Sequence, residues 1–338
     1  MDTTNLNIRN IYFYDKIIIA LEGLPSKVLF VVDENVLMLT PELSLFLKGK
    51  KALILNLDES QKNLQTVDKV YEFLFQNQTT ETLVAIGGGI LGDVALYAAA
   101  TFKRGIPFIM VPTTLLSMVD SSVGGKSGVN YKGIKNYIGV FKNPDQVLIA
   151  PSFLKTLELK ELRSGLGELF KYSLLGEKDI EWELRNNQDF ASLSYHKLIE
   201  KALRFKSIVV EKDFRDISHR NILNLGHNTA HGLETLSKGA LTHGEAVALG
   251  LLVELRLSEK IFMLPKEVRV DLTNLMKSFG MRTSFPIKDY EELILAMKKD
   301  KKNDESMRFT LLKEVGQPII KITVEKEDLL FAFNVIME

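Results

Sequence analysis

The sequence contains no cysteine. It therefore forms no disulfide, holds no metal through thiolates and offers no cysteine nucleophile. Net charge is absent too: 43 Lys and Arg balance 43 Asp and Glu. A general nucleic-acid binder normally carries a basic excess, so no nucleic-acid partner is expected. No apolar run approaches the roughly 18 residues that read as a membrane span. The opening MDTTNLNIRN lacks the basic start and apolar stretch of a signal peptide. The expectation is a cytoplasmic protein with no membrane partner. Internal repeats and low-complexity tracts are missing as well. What is present is an ordinary globular composition, 46% hydrophobic over 338 residues, long enough for two domains.

The first part of the chain alternates short apolar runs with amphipathic stretches. VLFVVDEN (28–35), KALILNLDE (51–59), ETLVAIGGG (81–89) and IPFIMVPTT (106–114) read as strands. Residues 63–76 space Leu64, Val67, Val70, Tyr71 and Leu74 as a helix does, and LGDVALYAAATFKRG reads as a helix stopped by Gly105. Strands alternating with helices predict a parallel sheet with helices on both faces. From about Pro151 long amphipathic segments dominate, such as 197–213, 244–260 and 289–300. Strand character returns only in RFTLLKEVG and PIIKITV. The fold class is therefore α/β: an N-terminal Rossmann-like domain over 1–150, then a mainly helical domain over 151–338.

AIGGGILGD (85–93) follows a strand and opens a helix, and Gly87, Gly89 and Gly92 match G-x-G-x-x-G. Such glycines let backbone approach a pyrophosphate at a helix N-terminus. The acidic residue expected about 20 positions later is missing, since no Asp or Glu separates Asp93 from Asp120. The stretch is either a dinucleotide or phosphate site of unusual form, or a glycine turn with a packing role. Asp33, ending an earlier strand, is placed to contact a ribose. In VPTTLLSMVDSSVGGKSGVN (111–130), Thr113, Thr114, Asp120, Lys126 and Asn130 crowd what reads as a donor-rich loop suited to an anion. It is not a P-loop, because the first glycine of that motif would fall on Asp120. Lys135 and Asn136 add two donors.

Three of the five histidines fall within residues 227–243. His227 and His231 are four apart and share a helix face. His243 follows a break at Ser237–Ala240 that could fold a second helix back. Glu168, in SGLGELFKY, also reads as helical. Two imidazoles and a carboxylate, with positions open to water or substrate, form the ligand set of a catalytic zinc site. Spacing alone leaves open which histidines belong to it. Lys171 shares a helical face with Glu168. Arg220 and Asn224 precede His227 by seven and three positions, which places all three on one helical stripe. With Lys206 and the KKDKKND run (298–304), these read as a pocket for a polyanion, or singly as solvated surface charge.

Taken in order, GGGILGD, RGIPFIMVPTTLLSMVDSSVGGKSGVN, KNYIGVF, GLGELFK, RNILNLGHNTAHGLE, HGEAVALG and DKKND closely resemble the 3-dehydroquinate synthase family. The likeness runs from about residue 28 to about 315. Its relatives are other sugar-phosphate cyclases and, more distantly, iron-dependent alcohol dehydrogenases and glycerol dehydrogenase. The resemblance implies conversion of 3-deoxy-D-arabino-heptulosonate 7-phosphate to 3-dehydroquinate and phosphate, in the shikimate pathway of aromatic amino acid biosynthesis. It implies tightly held NAD+, used catalytically, and Zn2+ or Co2+ on Glu168, His227 and His243, so that His231 faces substrate instead. NAD contacts would map to Asp33, Glu59, Lys62, Gly88, Gly89, Asp93, Thr113, Thr114, Lys126, Lys135 and Thr156. Substrate contacts would map to Asp120, Lys126, Asn136, Lys171, Lys206, Arg220, Asn224, His231 and a lysine of the DKK run, Lys302 or its neighbour Lys301. Arg104 would reach across a homodimer interface, and the two domains would close about the 151 boundary on binding.

The implied chemistry suits these residue types. A metal acting as Lewis acid lowers the pKa of the hydroxyl to be oxidised. The cations place phosphate and carboxylate. The substrate's own phosphate oxygen can take the proton lost on elimination, so no carboxylate base is required. Asn228, Ala230, Ala150 and Gly167 depart from the usual family residues, and none is a proposed ligand. A cyclase acting on sedoheptulose 7-phosphate or glucose 6-phosphate would share the metal and NAD sets, and a metal-dependent polyol dehydrogenase is the other alternative.

Overall fold

The apolar runs of the first 150 residues become strands, and all but the edge strand Ala52–Leu55 are buried along most of their length. The computed structural model describes residues 10–77, 81–287, 289–299 and 307–337. The chain folds as two compact units, Met1–Glu158 and Leu159–Glu338. The change of character in the sequence falls near Pro151. Lys301 and Lys302 lie outside the described residues.

The first unit carries strands β1 (Ile11–Phe13), β2 (Val28–Asp33), β3 (Ala52–Leu55), β4 (Thr82–Gly87), β5 (Phe108–Pro112), β6 (Lys126–Tyr131), β7 (Ile134–Phe141) and β8 (Gln146–Ile149). Its helices are α1 (Ile17–Glu22), α2 (Glu34–Leu39), α3 (Pro41–Leu47), α4 (Leu64–Gln76) and α5 (Gly89–Thr101). Six strands form one parallel sheet in the order β1-β8-β5-β4-β2-β3. β2, β4 and β5 are buried almost throughout, as expected of strands covered on both faces. After β3 the chain crosses back over β2 to place β4 on its other side. That reversal is a topological switch point, and the crevice at the carboxyl ends of the two flanking strands is where such sheets bind ligands. Asp33 ends β2 and Gly87 ends β4.

The stretch 111–130, which reads as a loop, is largely regular. Ser117–Ser121 forms a π-helical turn, and β6 pairs antiparallel with β7, so Lys126 begins a strand. KSGVNY has too few apolar residues to announce a strand. Its partner supplies the pairing instead.

The second unit carries α6 (Leu159–Leu174), α7 (Lys178–Asn186), α8 (Tyr195–Lys212), α9 (His227–Ser237), α10 (His243–Phe262), α11 (Lys266–Ser278), α12 (Tyr290–Lys299) and α13 (Lys326–Phe333). A two-stranded antiparallel pair, β9 (Arg308–Glu314) and β10 (Gln317–Thr323), completes it. Among the described residues no helix is long and apolar enough to cross a membrane. α10 is buried nearly all round from Gly244 to Ser258, which marks it as the central helix. It packs against α6 and α9 at distances that only glycine permits. A Cβ on Gly167 of α6 would lie 2.0 Å from the Gly244 carbonyl oxygen, and one on Gly244 would lie 1.7 Å from that of Ser164. At the second crossing, a Cβ on Gly250 would lie 2.0 Å from the Gly226 carbonyl oxygen.

The atoms met at these crossings are backbone, which cannot swing aside. Gly250→Ala is therefore expected to destabilise the second unit by about 3 kcal/mol or more, at the upper end for overpacking. Denaturant unfolding of the variant against wild type checks this. A loss near zero would show that the two helices are free to separate.

Candidate active site

His243 owes its position to the start of α10. Thr242 accepts a hydrogen bond from the Glu245 N–H (3.3 Å), and the Glu245 carboxylate accepts one from the Thr242 N–H (3.0 Å). This reciprocal capping box fixes the first turn, with His243 as its first residue. His227 likewise opens α9, directly after Gly226, whose φ of +82° is left-handed and suits glycine. Glu168 sits beside Gly167 on α6. Each of the three residues is thus next to a glycine of a close crossing, and the crossings bring them together. Glu168 Oε1 lies 3.4 Å from His227 Nε2 and 3.2 Å from His243 Nε2. One donor atom from each of the three lies within 4.8 Å of the others.

The outer ring nitrogens are also engaged. His227 Nδ1 meets the Leu225 carbonyl at 3.2 Å. A carbonyl only accepts, so Nδ1 donates to it, and in the neutral ring Nε2 would then be the nitrogen left to bind a metal ion. His243 Nδ1 faces Glu234 at 3.6 Å. Glu168 is fully buried and paired with Lys171. The Lys171 ammonium also lies 4.9 Å from the centre of the Tyr172 ring. Lys206 and Arg220 are buried as well, at 5% and 4% exposure. Arg220 donates to the Phe214 carbonyl (2.9 Å), and its own N–H donates to Asp213. Asp213 also accepts from the N–H groups of Ile217 and Ser218, which lowers its pKa to about 2.

The helical stripe expected to join Arg220, Asn224 and His227 does not exist as one helix. Residues 219–224 form a 3-10 helix, and Gly226 breaks it from α9. The break lets the Gly226 peptide reach α10. His231 stacks edge-on to His227 with ring centres 5.9 Å apart, but the converging donor set comprises only Glu168, His227 and His243 among the described residues.

In the first unit, the carboxyl end of β4 is built of backbone. A Cβ on Gly87 would approach that of Asp33 to 3.2 Å, one on Gly88 would meet Thr114 Cγ2 at 3.1 Å, and one on Gly89 would meet Ser121 Oγ at 3.0 Å. Asp33 caps α2 through the Asn35 N–H (2.9 Å), and burial raises its pKa despite the backbone hydrogen bonds. Nearby elements are joined by a polar chain. Lys62 Nζ lies 2.5 Å from Asp93 and donates to Asn136 Oδ1 (2.6 Å). The Asn136 N–H donates to Asn130 Oδ1 (2.9 Å), and Asn130 Nδ2 donates to Glu59 Oε1 (2.8 Å). Glu59, Asn130 and Lys135 line a cavity of about 560 Å³. Thr113 and Lys62 are buried, whereas Arg104 and Thr156 are exposed.

Two sequence models of one family match the chain: 3-dehydroquinate synthase N-terminal over residues 52–164, and 3-dehydroquinate synthase C-terminal over 165–303. The chain is 44% identical over 282 residues to the 3-dehydroquinate synthase of Clostridium tetani (strain Massachusetts / E88), covering 82% of this chain and 76% of that one. The chain belongs to the 3-dehydroquinate synthase family. Solved structures share its fold. A 2-deoxy-scyllo-inosose synthase complexed with carbaglucose-6-phosphate, NAD+ and Co2+ superposes with a TM-score of 0.86 at 22% identity, over 99% of this chain and all of that one. The 2-epi-5-epi-valiolone synthase of Streptomyces hygroscopicus subsp. jinggangensis 5008, with NAD+ and Zn2+ bound, gives 0.84 at 22%, over 99% and 98%.

For this member of the 3-dehydroquinate synthase family, sequence reasoning missed Glu234 as a partner of the site. Glu234 follows His227 by seven residues on one helix, a spacing that could have signalled it. Burial opposes ionisation of Glu168, but Lys171, His227 and His243 hold its carboxyl well below the usual carboxylate range. Burial and the Lys171 charge push His227 down. Burial also acts to lower His243, yet Glu168 and Glu234 outweigh it and push its pKa up to about 10. A folded-state pKa raised from 6.5 to about 10 stabilises the metal-free fold fully below pH 6.5, and the gain is lost as pH rises through 10. Thermal unfolding of chelator-treated protein should therefore show a midpoint that falls between pH 7 and 10 more steeply than that of His243→Gln. Parallel profiles would refute the cationic His243.

Proposed function

We propose that this chain acts as a 3-dehydroquinate synthase, converting 3-deoxy-D-arabino-heptulosonate 7-phosphate to 3-dehydroquinate and phosphate. The observation that carries this reading is the convergence of Glu168, His227 and His243 in a chain of that family. The donor set fits a divalent ion. Both Nε2 atoms face an ionised carboxylate, both Nδ1 atoms are occupied on the outside, and three protein ligands leave positions open. Zn2+ or Co2+ held there would supply Lewis-acid polarisation of a substrate hydroxyl.

The first unit fits NAD. Its switch point offers three successive glycines, an α5 N-terminus and the Asp33 carboxylate. Asp33, Glu59, Lys62, Gly88, Gly89, Asp93, Thr113, Thr114, Lys126, Lys135 and Thr156 are proposed to hold it, and the dinucleotide would supply reversible oxidation of that hydroxyl. Lys171, Lys206 and Arg220 bind and orient the anionic groups of the substrate, with Asn224 and His231 as hydrogen-bonding partners. Asp120, Lys126 and Asn136 take further substrate contacts. The departing phosphate accepts the proton of its own elimination, so the protein's task is to hold that phosphate against the acidified C–H. In the same reading the enzyme is a cytoplasmic homodimer, and the exposed Arg104 reaches into the partner's site.

The test is phosphate and dehydroquinate release from the heptulosonate phosphate, with and without a chelator. Turnover is expected to stop on chelation and return with Zn2+ or Co2+, and Glu168→Gln should lose metal together with activity. Net NADH accumulation would point to a polyol dehydrogenase instead. Release from sedoheptulose 7-phosphate or glucose 6-phosphate, but not from the heptulosonate, would point to a sibling cyclase.

A further inference from the structure

Glu254 lies on α10, eleven residues after His243 and four after Gly250, so it faces the same side as both. It is fully buried. Its Oε2 accepts a hydrogen bond from the Gly226 N–H at 2.6 Å, short as charge-assisted bonds are. Gly226 is the N-cap of α9 and has no side chain with which to cap it. Glu254 accepts from the N-cap residue's own N–H, the part an N3 carboxylate plays in a capping box, and does so from another helix at the end of α9 where the dipole favours negative charge.

The capped N–H belongs to a particular peptide unit. Gly226 N and Leu225 O are the two polar ends of one planar group. Leu225 O is the acceptor of His227 Nδ1. The sequence of contacts is therefore Glu254 carboxylate, Gly226 N–H, Leu225 C=O, His227 Nδ1–H, with His227 Nε2 aimed at Glu168 Oε1. A carboxylate drawing on the N–H polarises the C=O and makes it a better acceptor. A histidine metal ligand commonly donates its outer N–H to a carboxylate or carbonyl, which fixes the tautomer and raises basicity. Here the carboxylate acts on the carbonyl through the peptide itself.

We infer that Glu254 is a positioning residue for the metal centre. By anchoring the Leu225–Gly226 peptide it sets the ring orientation and tautomer of His227, and hence the affinity of the site for a divalent cation. The inference rests on the metal reading of Glu168, His227 and His243. Burying a carboxylate costs several kcal/mol unless a specific partner is present, and the Gly226 N–H is one such partner.

The experiment is metal binding by the full chain, with Zn2+ followed by chelator competition and Co2+ by its visible d–d spectrum. Glu254→Gln keeps an acceptor oxygen at the same reach, and Glu254→Met removes it at similar volume. Relative to wild type, the Gln variant is expected to bind within about threefold, and the Met variant 10- to 100-fold more weakly, the range for loss of an outer partner of a metal ligand. The Met variant's Co2+ spectrum should also change. Should Glu254→Met not fold, Glu254→Asp carries the test, since it keeps the charge but falls one methylene short of the N–H. Wild-type affinity and an unchanged spectrum in Met or Asp would overturn the inference, and so would equal losses in Gln and Met. A wild-type chain that binds neither metal would overturn the proposed function itself, and this inference with it.

Discussion

The second unit depends on how closely α10 can approach its two neighbours. Helices of ordinary composition pack with axes 8–10 Å apart, separated by their side chains. At Gly167/Gly244 and at Gly226/Gly250 the separating layer is missing, and a single added methyl group would overlap a carbonyl oxygen. Contact between backbones is stiff. It leaves no rotamer to adjust, so the residues next to the glycines inherit positions with little play. Glu168, His227 and His243 are those residues. A site that needs three donors held on one point is thereby placed on rigid helices and not on loops.

Electrostatics then makes use of that rigidity. A fully buried carboxylate would ordinarily surrender its charge, since desolvation favours the neutral form. Glu168 keeps it because Lys171 and two imidazoles are held against it. Burial opposes a charge on His243, yet Glu168 and Glu234 push its pKa up, so the pull that would hold a cation also favours a proton there. A divalent ion placed among the same atoms would displace that proton and take over its role. The same converging donors would thus face either a proton or a metal ion, which is why metal binding at such sites depends on pH.

Much of the secondary structure is legible in the sequence because it follows from local periodicity. The apolar runs ending at Asp33 and Gly87, and the amphipathic stretches that become α4, α8 and α10, each carry their own signal. What could not be read depends on distant partners. KSGVNY becomes a strand only because β7 pairs with it. The spacing of Arg220, Asn224 and His227 suits a continuous helix, yet Gly226 turns left-handed because its N–H is wanted by Glu254 and its carbonyl lies against Gly250. Spacing likewise draws His227 to His231, one turn away, whereas the fold draws it to His243 and Glu168 from two other helices. Helical periodicity describes one face of one segment. It says nothing about which faces meet, and only the family resemblance separated the three donors from His231.

The same distinction bears on chemistry. A metal triad and a dinucleotide-binding sheet would serve an alcohol dehydrogenase as well as a cyclase. What sets a phosphate-eliminating reaction apart is the need to hold a multiply charged substrate while charge moves within it. Lys171, Lys206 and Arg220 are all at least nine-tenths buried, and Arg220 is held at both ends, through its own N–H to Asp213 and its guanidinium to Phe214. Cations already desolvated by folding need no further reorganisation when an anion arrives, and they act in a medium where each charge counts for more than in water. Surface lysines could supply the same charge but not the same fixed geometry. Under the proposed function, the burial of these cations, more than the proposed metal ligands, is what would suit this second unit to a sugar acid phosphate over a neutral polyol.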